Sequence, residues 1–175
     1  NHDGGFAEVL RRALTDTHPP AYYYLIYPWT QAFGDTSETT TRLLSAIFAV
    51  AALPVFFFGM RGSFSLPARA FALALAAGPK AFYDNAQIAR SYGLCLLIAA
   101  VLLALALALH RRIARNEPLS PGMMAGLWAV SAFGAFTHFY MLLVAGGVHL
   151  FLLLGARTWR DRIIVVVSGL GIVGL

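Results

Sequence analysis

The chain has 175 residues, 59% of them hydrophobic and only 12% charged, with a mean hydropathy of +0.69 and a formal charge of +5. A soluble domain averages about 25% charged and about 45–50% apolar residues, so this composition excludes an ordinary water-facing globular surface. Nor does the positive charge read as a nucleic-acid footprint, because the arginines sit in short links between apolar runs and do not gather on one surface. Cys95 is the only cysteine, which excludes an internal disulfide and a multi-cysteine metal site; within its apolar run it reads as a small packing residue.

In chain order, residues 1–17 read as a polar extracytoplasmic loop. Residues 18–33, HPPAYYYLIYPWTQAF, are too short to cross a hydrocarbon core of about 30 Å. Tyr22, Tyr23, Tyr24, Tyr27 and Trp29 favour the headgroup region, where a ring stays apolar while its polar atom stays wet, so this segment is expected as an interfacial helix. Gly34-Asp35 marks a turn. Residues 38–60 then form an expected membrane helix, with Pro54 as a kink. Residues 66–82 are a weaker apolar stretch interrupted at Gly78-Pro79, and Tyr83 to Ser91 is expected as a polar link. Further membrane helices are expected at 92–109, 120–136, 138–156 and 163–175, with Thr137-His138-Phe139-Tyr140 as a tight turn. Unfinished apolar sequence at Leu175 and the polar start at Asn1, without a leader pattern, lead us to expect a piece of one longer transmembrane domain, cut at both ends.

The distribution of charge orients these elements. Arg61, Arg69, Arg111, Arg112, Arg115, Arg157, Arg160 and Arg162 occupy three links that share one side if each run crosses once. The positive-inside rule places that side in the cytoplasm. The opposite, extracytoplasmic face then collects Asp3, Asp16, His18, Asp84, Asn85, Gln87, Arg90, Tyr92, His138 and Tyr140. Each of these alone is an ordinary loop or helix-end residue; together they bring acid, base and aromatic groups from three loops to one depth. Arg90, about a turn before the cleanest apolar run, suits two roles equally. It can hold a phosphate by a bidentate contact, or it can snorkel to the interface. The sequence contains no glycine-rich phosphate loop, no metal-ligand spacing and no Gly-x-Ser-x-Gly elbow.

Four segments carry a resemblance. Asp16-Thr17-His18-Pro19-Pro20-Ala21-Tyr22-Tyr23 resembles the D-x-H-P-P-L-Y-Y signature of bacterial membrane glycosyltransferases related to protein O-mannosyltransferases, the family 39 type of the GT-C fold. Phe33-Gly34-Asp35, followed by Arg42-Leu43-Leu44-Ser45-Ala46, is similar to that family's F-G-D and R-L-L-S-A. Gln87-Ile88-Ala89-Arg90-Ser91-Tyr92 resembles Q-E-A-R-x-Y, and Thr137-His138-Phe139-Tyr140 resembles Y-T-H-Y. The sequence departs from the pattern at Ile88, where the family has glutamate, and at Ala21, where it has leucine.

The resemblance implies an all-α, polytopic transmembrane helix bundle of GT-C type, with an interfacial helix and extracytoplasmic loops on one face, in a bacterial plasma membrane. It implies transfer of a sugar from a polyprenyl-phosphate-linked donor to the hydroxyl of a protein, lipid or glycan acceptor in the cell envelope, with membrane lipids as surroundings and no nucleic acid. The family's general base, an aspartate at the outer end of a first helix, is expected before Asn1, since Asp3 stands too close to His18. Asp16 and His18 are then expected on the acceptor side of the catalytic site. Arg90, Tyr22, Tyr23, Gln87, Tyr92 and His138 are expected to bind substrate. No cofactor is implied with certainty, and dependence on a divalent metal is left open. The competing reading is a transporter or flippase component without chemistry. Such proteins place polar groups near the membrane midplane, and among the apolar runs here only His149 stands out in that way.

Overall fold

The computed structural model describes residues 19–174. Its described regular structure is entirely helical: α1 (Ala21–Phe33), α2 (Glu38–Gly59), α3 (Leu66–Ala77), α4 (Lys80–Gln87), α5 (Tyr92–Ala114), α6 (Pro121–Thr137), α7 (Met141–Gly155) and α8 (Trp159–Val173). Two of these, α2 and α5, are long and apolar enough to cross a membrane; α3 and α7 are apolar but shorter. At 1.5 Å per residue, α5 is about 35 Å long against a core of about 30 Å.

Short polar residues at the boundaries cap the starts of four of the eight described helices. The Ser37 hydroxyl accepts the Thr40 amide to open α2, Ser65 accepts that of Ala68 for α3, and Ser120 accepts that of Met123 for α6. Thr158 opens α8 by accepting the Asp161 amide at 3.1 Å, while its own hydroxyl donates to the Asp161 carboxylate at 2.6 Å. At the end of α1 the chain reverses through Gly34, whose φ of 60° favours a residue without a Cβ.

The fold is organised around α5. It packs against α2, α4, α6 and α7, while α8 covers α6 and α7 and α1 lies across α2 and α6. Leu94, Ile98, Leu102, Leu109 and Ile113 from α5 join Leu44, Leu127, Leu152 and Val165 in one apolar core. Small residues allow α2 and α5 to approach closely. A Cβ on Gly93 would stand 2.2 Å from the Ser45 carbonyl oxygen, and one on Gly59 would stand 2.6 Å from the Ala104 Cβ. The outward faces stay apolar and open: Val50, Phe71, Leu143, Leu154 and Val167 are all exposed, and only 22% of the apolar window of α2 is buried.

Several boundaries differ from those expected. Residues 66–82 do not form one helix, because the chain breaks at Gly78-Pro79, and α3 at 12 residues is only about 18 Å long. Part of the expected polar link 83–91 is helical: α4 packs against α2 with Ala86 buried, and an exposed ion pair between Lys80 and Asp84 at 2.8 Å adds a little. The helix expected over 92–109 continues to Ala114, because Arg111 and Arg112 suit the negative end of a helix dipole. The last helix starts at Trp159, four residues before the expected Ile163, because Thr158 and Asp161 make a capping pair.

Candidate functional site

The bundle has an aromatic end, where α1, the start of α2, the α4–α5 link and the α6–α7 corner meet. Its foundation is the turn before α2. The Asp35 carboxylate accepts the Ser37 amide at 2.7 Å, the Ser37 hydroxyl at 2.6 Å and the Thr40 hydroxyl at 2.5 Å. These donors, those of Ser37 first, hold the Asp35 carboxyl below the usual carboxylate range. From the same helix start, the Thr40 carbonyl accepts the indole N–H of Trp29 at 2.9 Å, which docks α1 onto α2.

One turn further along α2 lies Ser45, fully buried. Its hydroxyl donates to the Arg90 carbonyl at 2.8 Å. Because a carbonyl can only accept, the Ser45 hydrogen is committed there, and the Tyr22 hydroxyl 2.8 Å away is the donor to Ser45. A directed chain therefore runs from Tyr22 through Ser45 to Arg90, joining three segments distant in sequence. Gly93 makes this possible by letting α5 lie against the Ser45 backbone. Burial raises the Tyr22 phenol above the ordinary tyrosine range, outweighing the opposing hydrogen bond with Ser45. Tyr22 therefore stays protonated, as the chain requires.

A cleft of about 220 Å³ opens above this chain, lined by Pro19, Tyr22, Tyr23, Ile26, Ala89, Arg90, Ser91 and Tyr92. Arg90 is exposed on its rim and makes no ion pair among the described residues. A guanidinium keeps its charge at any physiological pH, so the cleft offers a fixed cation with several donors beside three aromatic rings. Behind Tyr92 lies His138, a buried residue at the α6–α7 corner. Its ring centroid is 5.8 Å from that of Tyr92 and 5.1 Å from that of Tyr140, on which it stacks. The Tyr140 amide donates to His138 Nδ1 at 3.3 Å, which leaves the proton of the neutral imidazole on Nε2.

Of the residues singled out in the sequence, Tyr22, Tyr23, Arg90 and Tyr92 thus line one cleft, and His138 supports it through Tyr92. Gln87, the last residue of α4, is exposed and does not line the cleft. Asp16 and His18 lie outside the described residues. Ser45 was not among the expected site residues, although it joins the cleft walls; its signals were its place in the Arg42–Ala46 motif and its lone hydroxyl early in an otherwise apolar run. Among the described residues no three histidine, cysteine or carboxylate side chains gather where they could hold a metal ion. No protein-family model, curated protein or solved structure matches the chain.

Proposed function

We propose that this chain is part of a polytopic membrane glycosyltransferase that moves a sugar from a polyprenyl-phosphate-linked donor to an acceptor hydroxyl at the extracytoplasmic face. One observation carries the reading. Segments that resemble the family 39 motifs build this cleft at two levels: Tyr22 and Tyr23 with Arg90 and Tyr92 line it, while Ser45 ties two of its walls together and His138 packs behind Tyr92. A fixed cation beside three aromatic rings suits a ligand that carries both a phosphate and a sugar or lipid.

In this reading the Arg90 guanidinium holds the donor phosphate, where negative charge develops as the sugar leaves. Tyr22, Tyr23 and Tyr92 supply ring faces and edges for the sugar or the start of the lipid. Asp16 and His18 precede the cleft wall at Pro19 and are assigned to the acceptor side, with the deprotonating aspartate supplied from outside this stretch. Exposed apolar flanks on α2, α3, α7 and α8 suit a bilayer surrounding, and the cleft then lies at headgroup depth, where a lipid-linked phosphate resides.

The test uses the full-length protein reconstituted with a panel of polyprenyl-phosphate sugars, following release of free polyprenyl phosphate. Release from one donor is expected to fall at least tenfold in Arg90→Ala and to stay unchanged in Arg112→Ala. Equal loss in both variants removes the phosphate role from Arg90. No release from any donor by folded protein shifts the reading to a transporter. One contact favours that second reading: His149, buried within α7, receives the Ser168 hydroxyl from α8 at 3.1 Å while its Nδ1 bonds the Ala145 carbonyl at 2.8 Å.

A further inference from the structure

The opposite end of the bundle carries a second cleft, of about 210 Å³, lined by Ile113, Asn116, Glu117, Pro118, Arg157, Thr158, Arg160 and Asp161. Five arginines stand in or beside it: Arg112, Arg115, Arg157, Arg160 and Arg162. They face two carboxylates, and both are occupied. Glu117 is met by Arg112 at 3.3 Å and by Arg115 at 3.9 Å. The Asp161 carboxylate accepts the hydroxyl of Thr158, the residue that caps α8. Arg157 reaches the Asn116 side-chain oxygen at 3.4 Å, which ties the end of α5 to the α7–α8 link. Asn116 itself sits at φ 56°, a left-handed conformation that asparagine tolerates better than most residues. Arg160 is exposed and forms no ion pair among the described residues. The cleft is thus a preformed concavity with an excess of fixed positive charge.

What lies next to it identifies the ligand class. Along α8, Arg160, Ile163, Val167 and Leu170 follow at intervals of three and four residues, so they share one face. The three aliphatic residues on that face are 46%, 63% and 66% exposed. Leu150 and Leu154, one turn apart on α7, are exposed as well, and Trp159 is 74% exposed at the level of the arginines. Along α8 the cationic cleft is therefore followed by an exposed aliphatic face, with an indole at the boundary, where tryptophan concentrates in membrane proteins. A free phosphate would use only the cleft. A molecule with an anionic head and two acyl tails uses both.

We propose that the cleft between the α5–α6 and α7–α8 links binds the phosphate of an anionic phospholipid, with Arg157 and Arg160 as the direct contacts and the exposed face of α8 under the acyl chains. This rests on the membrane reading of the bundle but not on its enzymatic activity. Arginine suits the task because its planar fork can engage two phosphate oxygens at once.

The experiment is native mass spectrometry of the full-length protein in detergent, titrated with dioleoyl phosphatidylglycerol or dioleoyl phosphatidylcholine. The chain is expected to retain phosphatidylglycerol about tenfold more tightly. The preference disappears in the double variant Arg157→Gln/Arg160→Gln and persists in Arg61→Gln, which lies outside the cleft. Excess inorganic phosphate leaves the bound lipid in place. Equal retention of both lipids, or a preference unchanged by the double variant, overturns the site. Displacement by inorganic phosphate assigns the cleft to the free anion and overturns the lipid. Carbonate extraction of membranes separates the two levels of failure: a chain released into the wash sinks the membrane reading and this site together. A chain retained in the membrane without the preference sinks only the site.

Discussion

The two ends of the bundle solve the problem of holding polar groups in opposite ways. At the aromatic end, hydroxyls and carbonyls are buried and linked in a fixed direction, Tyr22 to Ser45 to Arg90, and the exposed Arg90 guanidinium stands at the cleft above them. At the arginine end, charges are numerous, mostly exposed, and joined by longer contacts such as Arg157 to Asn116 at 3.4 Å and Arg115 to Glu117 at 3.9 Å. Buried neutral hydrogen bonds cost more to break, because a partner left behind has no water to turn to. Exposed ion pairs give little net stability. The comparison teaches that the aromatic end is built for fixed geometry and the arginine end for charge.

The largest test of this contrast is Gly93→Ala. Its Cβ would collide with the Ser45 carbonyl, which is backbone and cannot turn aside, so α5 and α2 must separate. We expect a loss of about 3 kcal/mol, read as a lower thermal midpoint in detergent, together with loss of the cleft's ligand binding. A neutral Gly93→Ala would show that the two helices do not need this contact. Next is Ser45→Ala, which strands both the Tyr22 hydroxyl and the Arg90 carbonyl at a cost of about 2 kcal/mol. The matched change at the other end, Ser63→Ala, removes an exposed contact with Arg111 and is expected to cost less than about 0.5 kcal/mol. Similar values for the two serines would erase the distinction between the ends.

An effect smaller than that of Ser45→Ala sharpens the comparison by pH. The folded Tyr22 phenol titrates above its unfolded value, so its stabilising contribution is complete below the ordinary tyrosine range of about 10. It is lost as pH rises through the raised folded value. Tyr22→Phe should cost about 1 kcal/mol at neutral pH and flatten the alkaline fall in stability. If the alkaline fall is the same in both proteins, Tyr22 does not stay protonated in the way the hydroxyl chain requires.

The parts of the fold most legible in the sequence were those that depend on local chemistry. The apolar runs of α2 and α5 and the Gly34 turn could be read directly, as could the corner between α6 and α7. The shift of α8 to Trp159 was written in Thr158 and Asp161, but three arginines in the same six residues made it read as a link. The break between α3 and α4 was signalled by Gly78-Pro79, while the helicity of α4 goes with its packing against α2 and the burial of Ala86, which its polar composition hides. The cleft was legible only as a list of segments. Nothing in their spacing says that Tyr22 and the Arg90 backbone share one hydroxyl, because that follows from how closely two helices approach at Gly93. Tertiary proximity of that kind has no periodicity to detect.

The direction of the hydroxyl chain has a consequence for whatever occupies the cleft. Tyr22 has already given its only hydrogen to Ser45, so its oxygen can now receive but not offer. Arg90 is the reverse, since a guanidinium can offer but never receive. A guest that touches both must therefore be polarised, with a hydroxyl at one end to meet the phenol and oxygen lone pairs at the other to meet the cation. Turned end for end, the same guest would set lone pairs against the phenol oxygen and leave that contact unmade, so the pocket reads orientation as well as shape.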